Sequence, residues 1–282
     1  MKQFQYFKPH SLQEAWRLKR EWPQALFIAG GTDLIVQIKS REISPQALIS
    51  LRSVAELKGI ELGQTTRIGA LTTISDISQH QEMAQKFPLL QQAAKNLGSV
   101  QIRNVATIGG NLCNCSPSAD MALPLLVHEA KLKLQRPQGT RLIPVEELFK
   151  GQGKTCLFPE EILTEIILNQ PAQNSKSVFL KIGRVKMDLA IASLAVLLAM
   201  EGKRCLKARL AAGSVAPVPL RLKKIEVLLE GKLLTKDLIE EAQELAIKVI
   251  TPISDIRASR QYRRQILAVL VKRALEKFNS GH

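Results

Sequence analysis

TIGGNLCNCSPSADMALPLL, residues 107–126, contains a glycine pair and the C-x-C sequence of Cys113 and Cys115. It can be interpreted as a metal site built on the two thiols, or as a backbone turn that holds a phosphorylated cofactor. Zinc and iron–sulfur sites need three or four ligands, usually in two spaced pairs. Only one close pair exists here, and the neighbouring Asn114 and Ser116 are poor ligands. The pattern therefore predicts no bound metal, and cysteines that serve as small buried side chains.

A second glycine pair, Gly30–Gly31, lies in LFIAGGTDLIVQIK, residues 26–39. Each pair follows a short apolar run that is typical of a strand. Each also precedes polar residues that can open a turn or a helix, as Thr32 and Asp33 can cap a first helical turn. Glycine permits tight turns and a close approach of the backbone to a ligand, because it has no Cβ. Consecutive N–H groups exposed in such turns bind anionic oxygens.

The two glycine loops together predict a pyrophosphate site. Its side-chain donors are predicted to be Thr32, Thr107, Asn111 and Ser116. Neither loop has the pattern G-x-G-x-x-G, so an ordinary dinucleotide-binding site of the Rossmann type is not indicated. Taken alone, the two pairs are equally compatible with two tight turns that bind nothing.

The chain is strongly basic, with a formal net charge of +15 from 40 Lys and Arg against 25 Asp and Glu. Nucleic-acid binding is disfavoured because the basic residues are spread along the chain and aromatic residues make up only 4%. The densest basic stretch is residues 257–277, where Arg260, Arg263 and Arg264 share one face of a predicted helix. We predict that this is a solvated face opposite an apolar stripe. A docking surface for an acidic partner is the alternative.

The 282 residues, 45% of them hydrophobic, are enough for two domains or one large one. The first ten residues, MKQFQYFKPH, contain no apolar segment of the signal-peptide type. The longest apolar run, LAIASLAVLLAM at 189–200, is too short to cross a bilayer, which needs about 20 residues. We interpret it as a buried helix. The sequence thus predicts no membrane span and a cytoplasmic location.

Along the first half, short apolar runs alternate with helical patterns, which predicts a sheet flanked by helices. The polar, irregular segment NQPAQNSKS at 169–177 predicts a domain boundary. Beyond it we expect a strand pair within 208–222 and two helices at about 235–250 and 259–278. GQGKT at 151–155 lacks the first glycine of a P-loop, since position 148 is Leu, and predicts a surface turn.

The two glycine segments resemble motifs of a known protein family. FIAGGTDLIVQIK and IRNVATIGGNLCNCSPSADMALPLL closely resemble the two flavin-binding motifs of the medium, FAD-binding subunits of molybdenum hydroxylases. That family includes xanthine, carbon monoxide and nicotinate dehydrogenases. Four later segments resemble family segments in the same order, so the resemblance spans nearly the whole chain: PEEILTEIIL, FLKIGRVKMDLAIASLAVLL, ARLAAGSVAPVPLRL and SDIRASRQYRRQILAVLVKRAL.

The resemblance implies an α+β fold with two parts. The first is an FAD-binding module of the PCMH type, made of two α/β subdomains, over residues 1–170. Its subdomains would cover about 1–58 and 59–170. The second is a smaller C-terminal α+β domain over 171–282, as in flavoproteins of molybdenum hydroxylases.

The resemblance also implies which residues bind FAD. Asp120 would hydrogen-bond the ribityl or ribose part, Leu163 would lie against the isoalloxazine ring, and Lys181 would lie near the flavin edge. The stretch from Lys181 to Asp188 is one residue shorter than the usual family pattern. The pyrophosphate would be held by Ala29, Gly30, Gly31, Thr32, Asp33, Leu34, Thr107, Gly110 and Asn111, with Ser116 nearby.

The implied function is electron transfer, with no side chain acting as acid, base or nucleophile. Electrons would come from the two [2Fe–2S] clusters of a small partner subunit and leave through FAD to NAD or another acceptor. A large partner subunit with the molybdenum cofactor would hydroxylate the substrate. Two alternatives are a free-standing FAD-dependent oxidoreductase that acts on a small substrate, and a flavin-less binding protein that uses its basic surface.

Overall fold

The computed structural model describes residues 2–279 and contains both helices and strands throughout. The strands are, in chain order, β1 Gln5–Phe7, β2 Leu26–Ile28, β3 Ala47–Ser50, β4 Ile60–Glu61, β5 Thr65–Gly69, β6 Lys131–Arg136, β7 Gly139–Pro144, β8 Phe149–Gly151, β9 Lys154–Thr155, β10 Ile162–Asn169, β11 Ser175–Ile182, β12 Ala192–Glu201, β13 Arg204–Gly213 and β14 Leu220–Arg221. The helices are α1 Leu12–Glu21, α2 Leu34–Lys39, α3 Ile74–Gln79, α4 Gln81–Lys86, α5 Pro88–Asn96, α6 Val100–Arg103, α7 Ile108–Cys113, α8 Ala122–Val127, α9 Lys223–Leu229, α10 Lys236–Lys248 and α11 Arg260–Asn279.

Within residues 2–279, three sheets have three or more strands, and β8 and β9 form a separate two-stranded sheet. The first is parallel, with strand order β1-β3-β2. The second is antiparallel, with order β4-β5-β10-β6-β7. The third is antiparallel, with order β11-β12-β13-β14, and it is followed by α9 to α11. This is the predicted α+β arrangement of two α/β units and a C-terminal α+β unit.

Strand β12 corrects the interpretation of 189–200 as a helix. It lies between β11 and β13, and its two faces belong to different cores. Ala195 packs with the core around the second sheet, whereas Leu194, Val196 and Leu198 pack with α10 and α11. A strand covered on both faces has apolar residues at consecutive positions, so its pattern cannot be told from that of a buried helix.

The other predicted elements beyond 170 are present. Strands β13 and β14 pair within the predicted 208–222 segment, and helices α10 and α11 fill the two predicted ranges. In the first half, α5 begins with Pro88 and is followed by Gly98 at a φ of +50°. GQGKT forms the turn between β8 and β9, with Gly153 at a φ of +67°, as predicted for a surface turn.

The arginine-rich face of α11 is not uniformly solvated. Arg260 is exposed, but only 2% of Arg263 is exposed, and its guanidinium bonds to protein oxygens. The prediction of a solvated face is therefore wrong for Arg263, because its hydrogen-bond partners come from distant parts of the sequence. Among the helices of residues 2–279, none is long and apolar enough to cross a membrane.

Candidate functional site

A cavity of about 660 Å³ lies where the three sheets meet. Both glycine loops, the start of β10 and the loop between β11 and β12 form its walls. Its size is within the range of ligand pockets, about 300–1,000 Å³. Every predicted cofactor-binding residue lines it, namely Ala29, Gly30, Gly31, Thr32, Asp33, Leu34, Thr107, Gly110, Asn111, Ser116, Asp120, Leu163 and Lys181.

The first glycine loop connects β2 to α2 and presents backbone amides. Gly31 has a φ of +75°, a conformation that favours glycine. Within residues 2–279, the N–H groups of Gly31, Thr32 and Asp33 meet no protein acceptor. These amides line the cavity and are available to anionic oxygens, as predicted for a pyrophosphate loop.

The side chains of the first loop differ from the prediction in one respect. Asp33 occupies the N-cap position of α2 but makes no capping hydrogen bond. The Thr32 hydroxyl donates to Asp33 Oδ2 at 3.4 Å instead. The predicted cap is therefore absent, and the first turn of α2 leaves its amides without a side-chain acceptor from this loop.

The second glycine loop uses its amides within the protein. Thr107 caps α7 by accepting from the Gly110 amide at 3.0 Å. The amides of Ile108 and Gly109 donate to Thr72 O and Ala70 O at 3.0 and 2.8 Å. The prediction of exposed anion-binding amides is thus wrong for Ile108 and Gly109, because the segment that follows β5 already supplies their acceptors.

What the second loop offers to a ligand is side-chain donors. Asn111 Oδ1 accepts from the Met121 amide at 3.2 Å, and Ser116 Oγ accepts from the Ser118 amide at 3.2 Å. Both side chains therefore have their acceptor atoms engaged. No acceptor within residues 2–279 takes the Asn111 amide hydrogens or the Ser116 hydroxyl hydrogen, so both are available to the cavity.

Asp120 and Lys181 form a buried ion pair in the cavity wall. Lys181 Nζ lies 2.6 Å from Asp120 Oδ2 and donates to Asn96 O at 3.0 Å, at the end of α5. The two side chains are only 4% and 7% exposed. Burial raises the pKa of Asp120 to about 6, although the Lys181 ammonium acts to lower it. Among the described residues, Asp120 Oδ1 has no hydrogen-bond partner.

An apolar wall completes the cavity on the side of β10. Leu163 is buried beside a β-bulge, where the pairing of β10 with β6 shifts between Leu163 and Glu165. Glu161 also borders the cavity, but its carboxylate accepts two hydrogen bonds of 2.8 Å from Arg141. This carboxylate is therefore satisfied within the protein.

The two cysteines of the C-x-C sequence lie in different environments. Cys113 lines the cavity, and burial raises the pKa of its thiol to about 12, so it is neutral near pH 7. Cys115 is buried and its thiol donates to Gly151 O and Lys154 O, at 3.2 and 3.0 Å. Across residues 2–279, no group of three or more potential ligands is arranged for a metal ion.

Some apolar residues that line the cavity lie outside the predicted site. Met187 and Leu189 come from the loop between β11 and β12, Leu97 precedes α6, and Ile102 lies within α6. The available sequence signal was the alternation of apolar Met187 and Leu189 with the charged residues Lys186 and Asp188.

Comparison with protein-family models decides the identity. Residues 2–171 match the FAD binding domain in molybdopterin dehydrogenase. Residues 177–278 match the CO dehydrogenase flavoprotein C-terminal domain. The chain belongs to the FAD-binding subunits of molybdenum hydroxylases. Its cofactor is FAD, and it is a flavoprotein oxidoreductase subunit.

Individual members of this family are similar over nearly their full length. The carbon monoxide dehydrogenase medium chain of Hydrogenophaga pseudoflava is 34% identical over 274 residues, which cover 96% of each chain. The xanthine dehydrogenase FAD-binding subunit of Escherichia coli O157:H7 is 32% identical over 274 residues, covering 96% of this chain and 94% of the relative. In the solved Hydrogenophaga pseudoflava carbon monoxide dehydrogenase that lacks the Mo-pyranopterin moiety, one chain superimposes with a TM-score of 0.94 at 33% identity, covering 98% and 96%.

The cavity of this FAD-binding subunit fits its cofactor chemically. Free amides of the first loop and donors from Asn111 and Ser116 suit the oxygens of a pyrophosphate. Asp120 Oδ1 is a buried acceptor without a partner in the described chain, and it suits a hydroxyl or N–H donor of a ligand. The buried Leu163 suits a flat apolar ring.

Proposed function

We propose that this subunit takes electrons from the [2Fe–2S] clusters of a small partner subunit and delivers them to NAD or another acceptor. A large partner with the molybdenum cofactor would carry out hydroxylation, and the complex would work in the cytoplasm. The observation that supports this assignment best is the cavity itself, where two loops with pyrophosphate donors meet a buried apolar wall. The redox chemistry would be that of FAD, which the protein binds and orients.

Each part of the cavity has a proposed task. The amides of Gly31, Thr32 and Asp33 would bind one phosphate, and Asn111 and Ser116 would donate to the other. Asp120 would accept from the ribityl or ribose part, and Leu163 would exclude water from one face of the isoalloxazine ring. Lys181 would act mainly by holding Asp120, since its ammonium is already bonded to Asp120 and Asn96.

Glu161, Asp188 and Cys113 line the cavity without being set up for acid–base catalysis. The Glu161 carboxylate is engaged by Arg141, and Asp188 pairs with Arg184 at 3.0 Å. The thiol of Cys113 is neutral because burial raises its pKa. None of these groups is poised to accept a proton from a substrate near pH 7.

The test is to purify the chain, record its visible spectrum, release the cofactor with acid and identify it by chromatography. The FAD-loaded protein is then mixed anaerobically with NADH, and bleaching of the flavin bands is followed. Rapid bleaching supports NAD as the partner in electron exchange. A protein that holds FAD but is reduced only by dithionite would contradict NAD as acceptor, and failure to take up FAD would contradict the site.

A further inference from the structure

Arg263 of α11 is a buried arginine that binds two segments distant in the sequence and one just before its own helix. Its guanidinium donates to Ile191 O at 2.7 Å, to Ser214 O at 3.0 Å and to Asp255 Oδ1 at 2.7 Å. Arginine presents several donors in a fixed planar fork, which suits it to hold more than one acceptor at once. Ile191 belongs to a segment that continues into a wall of the FAD cavity, and Ser214 belongs to one that is hydrogen-bonded to another wall.

The first segment is the loop between β11 and β12. The Ile191 amide donates to Ile182 O at 2.7 Å and closes the base of this loop. The loop carries Met187 and Leu189, which line the cavity. By binding Ile191 O, the guanidinium of Arg263 holds the same base from the other side.

The second segment leads to the loop that follows α7. Ser214 has a φ of +63°, unusual for a residue other than glycine, and its amide donates to Pro117 O at 2.7 Å. Pro117 lies between Ser116 and Ser118, both of which line the cavity. A side chain at Gly213 would come within 2.7 Å of Ser193 Oγ, so β13 ends in close contact with its surroundings here.

Asp255 balances the buried charge of Arg263. Burial acts to raise the pKa of Asp255, but hydrogen bonds from the Arg257 amide and guanidinium and from Arg263 outweigh it and hold the pKa well below its usual range. The carboxylate therefore stays ionised at neutral pH. A paired and multiply bonded guanidinium is a rigid anchor, whereas an unpaired one would be costly to bury.

We propose that Arg263 is a positioning residue for FAD, acting through Ile191 and Ser214 on two walls of the cofactor cavity that it does not itself touch. The inference rests on the proposed FAD site described above. Without the guanidinium of Arg263, the loop that carries Met187 and Leu189 and the segment bonded to the Ser116 loop lose the side chain that links them. A displacement of these binding groups would worsen the geometry of their hydrogen bonds to the cofactor, and hydrogen bonds weaken steeply as their geometry departs from the optimum.

The experiment compares Arg263→Lys and Arg263→Gln with Arg260→Gln. The control removes the same charge from the same helix, at an exposed side chain. FAD affinity is measured by flavin fluorescence at a temperature where all variants are folded. We expect roughly tenfold weaker binding for Arg263→Lys, because an ammonium cannot reproduce the fork, and unchanged binding for Arg260→Gln.

Hydrogen–deuterium exchange gives a second, local readout that does not depend on global stability. In both Arg263 variants we expect faster exchange in residues 183–191 and 116–120, with unchanged exchange in β5. Asp255→Asn should move both readouts in the same direction. FAD affinity equal to that of Arg260→Gln, or faster exchange spread evenly over the chain, would overturn the inference. Loss of FAD binding by the unmodified chain would instead contradict the proposed function.

Discussion

At the scale of single residues, Asp120 combines burial, one strong ionic contact and one unused oxygen. Lys181 engages Oδ2, while Oδ1 has no partner among residues 2–279. Buried polar atoms are nearly always hydrogen-bonded, so an unsatisfied one at a cavity wall indicates a missing ligand group. When the carboxyl group is ionised, Asp120 Oδ1 can therefore accept a hydrogen bond from a ligand.

This requirement predicts a pH dependence of FAD binding. Burial raises the pKa of Asp120 to about 6, so the carboxyl group is protonated below that pH and ionised above it. FAD affinity should therefore rise as the pH increases through about 6. Titrations of flavin fluorescence over roughly pH 5 to 8 measure the effect. The Asp120→Asn variant should bind more weakly and show no such rise; a rise of equal size in this variant would exclude Asp120 as its source.

The cysteines give a second prediction at this scale. A Cys113→Ala, Cys115→Ala double variant should keep its FAD, because neither thiol is needed as a ligand. It should unfold at a somewhat lower temperature, since the Cys115 thiol donates to two carbonyl groups of the β8–β9 hairpin. The flavin spectrum and a thermal melt test the two parts separately. A colourless double variant would show that the thiols contribute to the site.

At the scale of elements, the two glycine loops are held together by close backbone contact. A Cβ on Gly30 would lie 2.1 Å from Val105 O, in the segment that leads into the second loop. A Cβ on Gly109 would lie 2.7 Å from Ala70 O, at the end of β5. These two glycines thus permit packing between elements, whereas Gly31 with its positive φ shapes the turn itself.

Gly30→Ala should consequently disrupt the site through the loops rather than through a lost ligand contact. Because Val105 O belongs to the backbone, the loops must separate, and we expect a loss of about 2 kcal/mol or more in the free energy of unfolding. FAD binding should fall as well. Gly63→Ala is the matched control, since its Cβ would meet only Thr65 O at an ordinary 3.5 Å. Urea unfolding and FAD titration measure the stability and the FAD affinity of both variants. Equal values for Gly30→Ala and Gly63→Ala would refute the packing role of Gly30.

Strand β12 shows how one element joins the parts of the molecule. Alternate residues of β12 enter two cores, so the strand belongs at once to the FAD-binding module and to the C-terminal helices. Such a strand has no polar face. Its consecutive apolar residues show no alternation typical of a strand, so the sequence of β12 alone does not distinguish a strand from a helix. Pairing with β11 and β13 makes it a strand.

At the scale of the whole molecule, charged side chains cross between the second sheet region and the C-terminal part. Glu129 pairs with Arg209 at 3.0 Å and with Arg221 at 3.3 Å, and Lys223 pairs with Glu146 at 2.9 Å. The Glu129 side chain is 53% exposed, so solvent screens these pairs. Their contribution to stability is correspondingly modest.

Glu129→Gln should lower the free energy of unfolding by about 1 kcal/mol or less at pH 7, as for exposed ion pairs. Burial acts to raise the pKa of Glu129, but Arg209 and Arg221 outweigh it and lower the pKa below its ordinary 4.5. The contribution is therefore fully present above pH 4.5, and it is lost below that value, as the pH falls through the lowered pKa of the folded state. Urea unfolding at several pH values measures this, with Glu147→Gln as a control at an exposed position. A difference between wild type and Glu129→Gln that persists at low pH would contradict the mechanism.

The sequence alone determined the family and those cavity-lining residues that belong to the family's motifs. Glycine pairs and short polar clusters are local signals, because they reflect backbone conformation within a few residues. It also determined most elements beyond residue 170, where helical periodicity is strong. That these residues bind FAD in the roles assigned to them stays a prediction until it is measured.

Only the tertiary structure decided which of these residues have free hydrogen-bonding groups. The amides of Ile108 and Gly109 in the second loop donate to Thr72 O and Ala70 O. No local sequence pattern predicts these hydrogen bonds. Arg263 was expected to face solvent, yet its acceptors Ile191 and Ser214 lie 72 and 49 residues away in the sequence. Local pattern sets how the backbone can turn, but burial and the partner of each polar group depend on which distant segments fold against it.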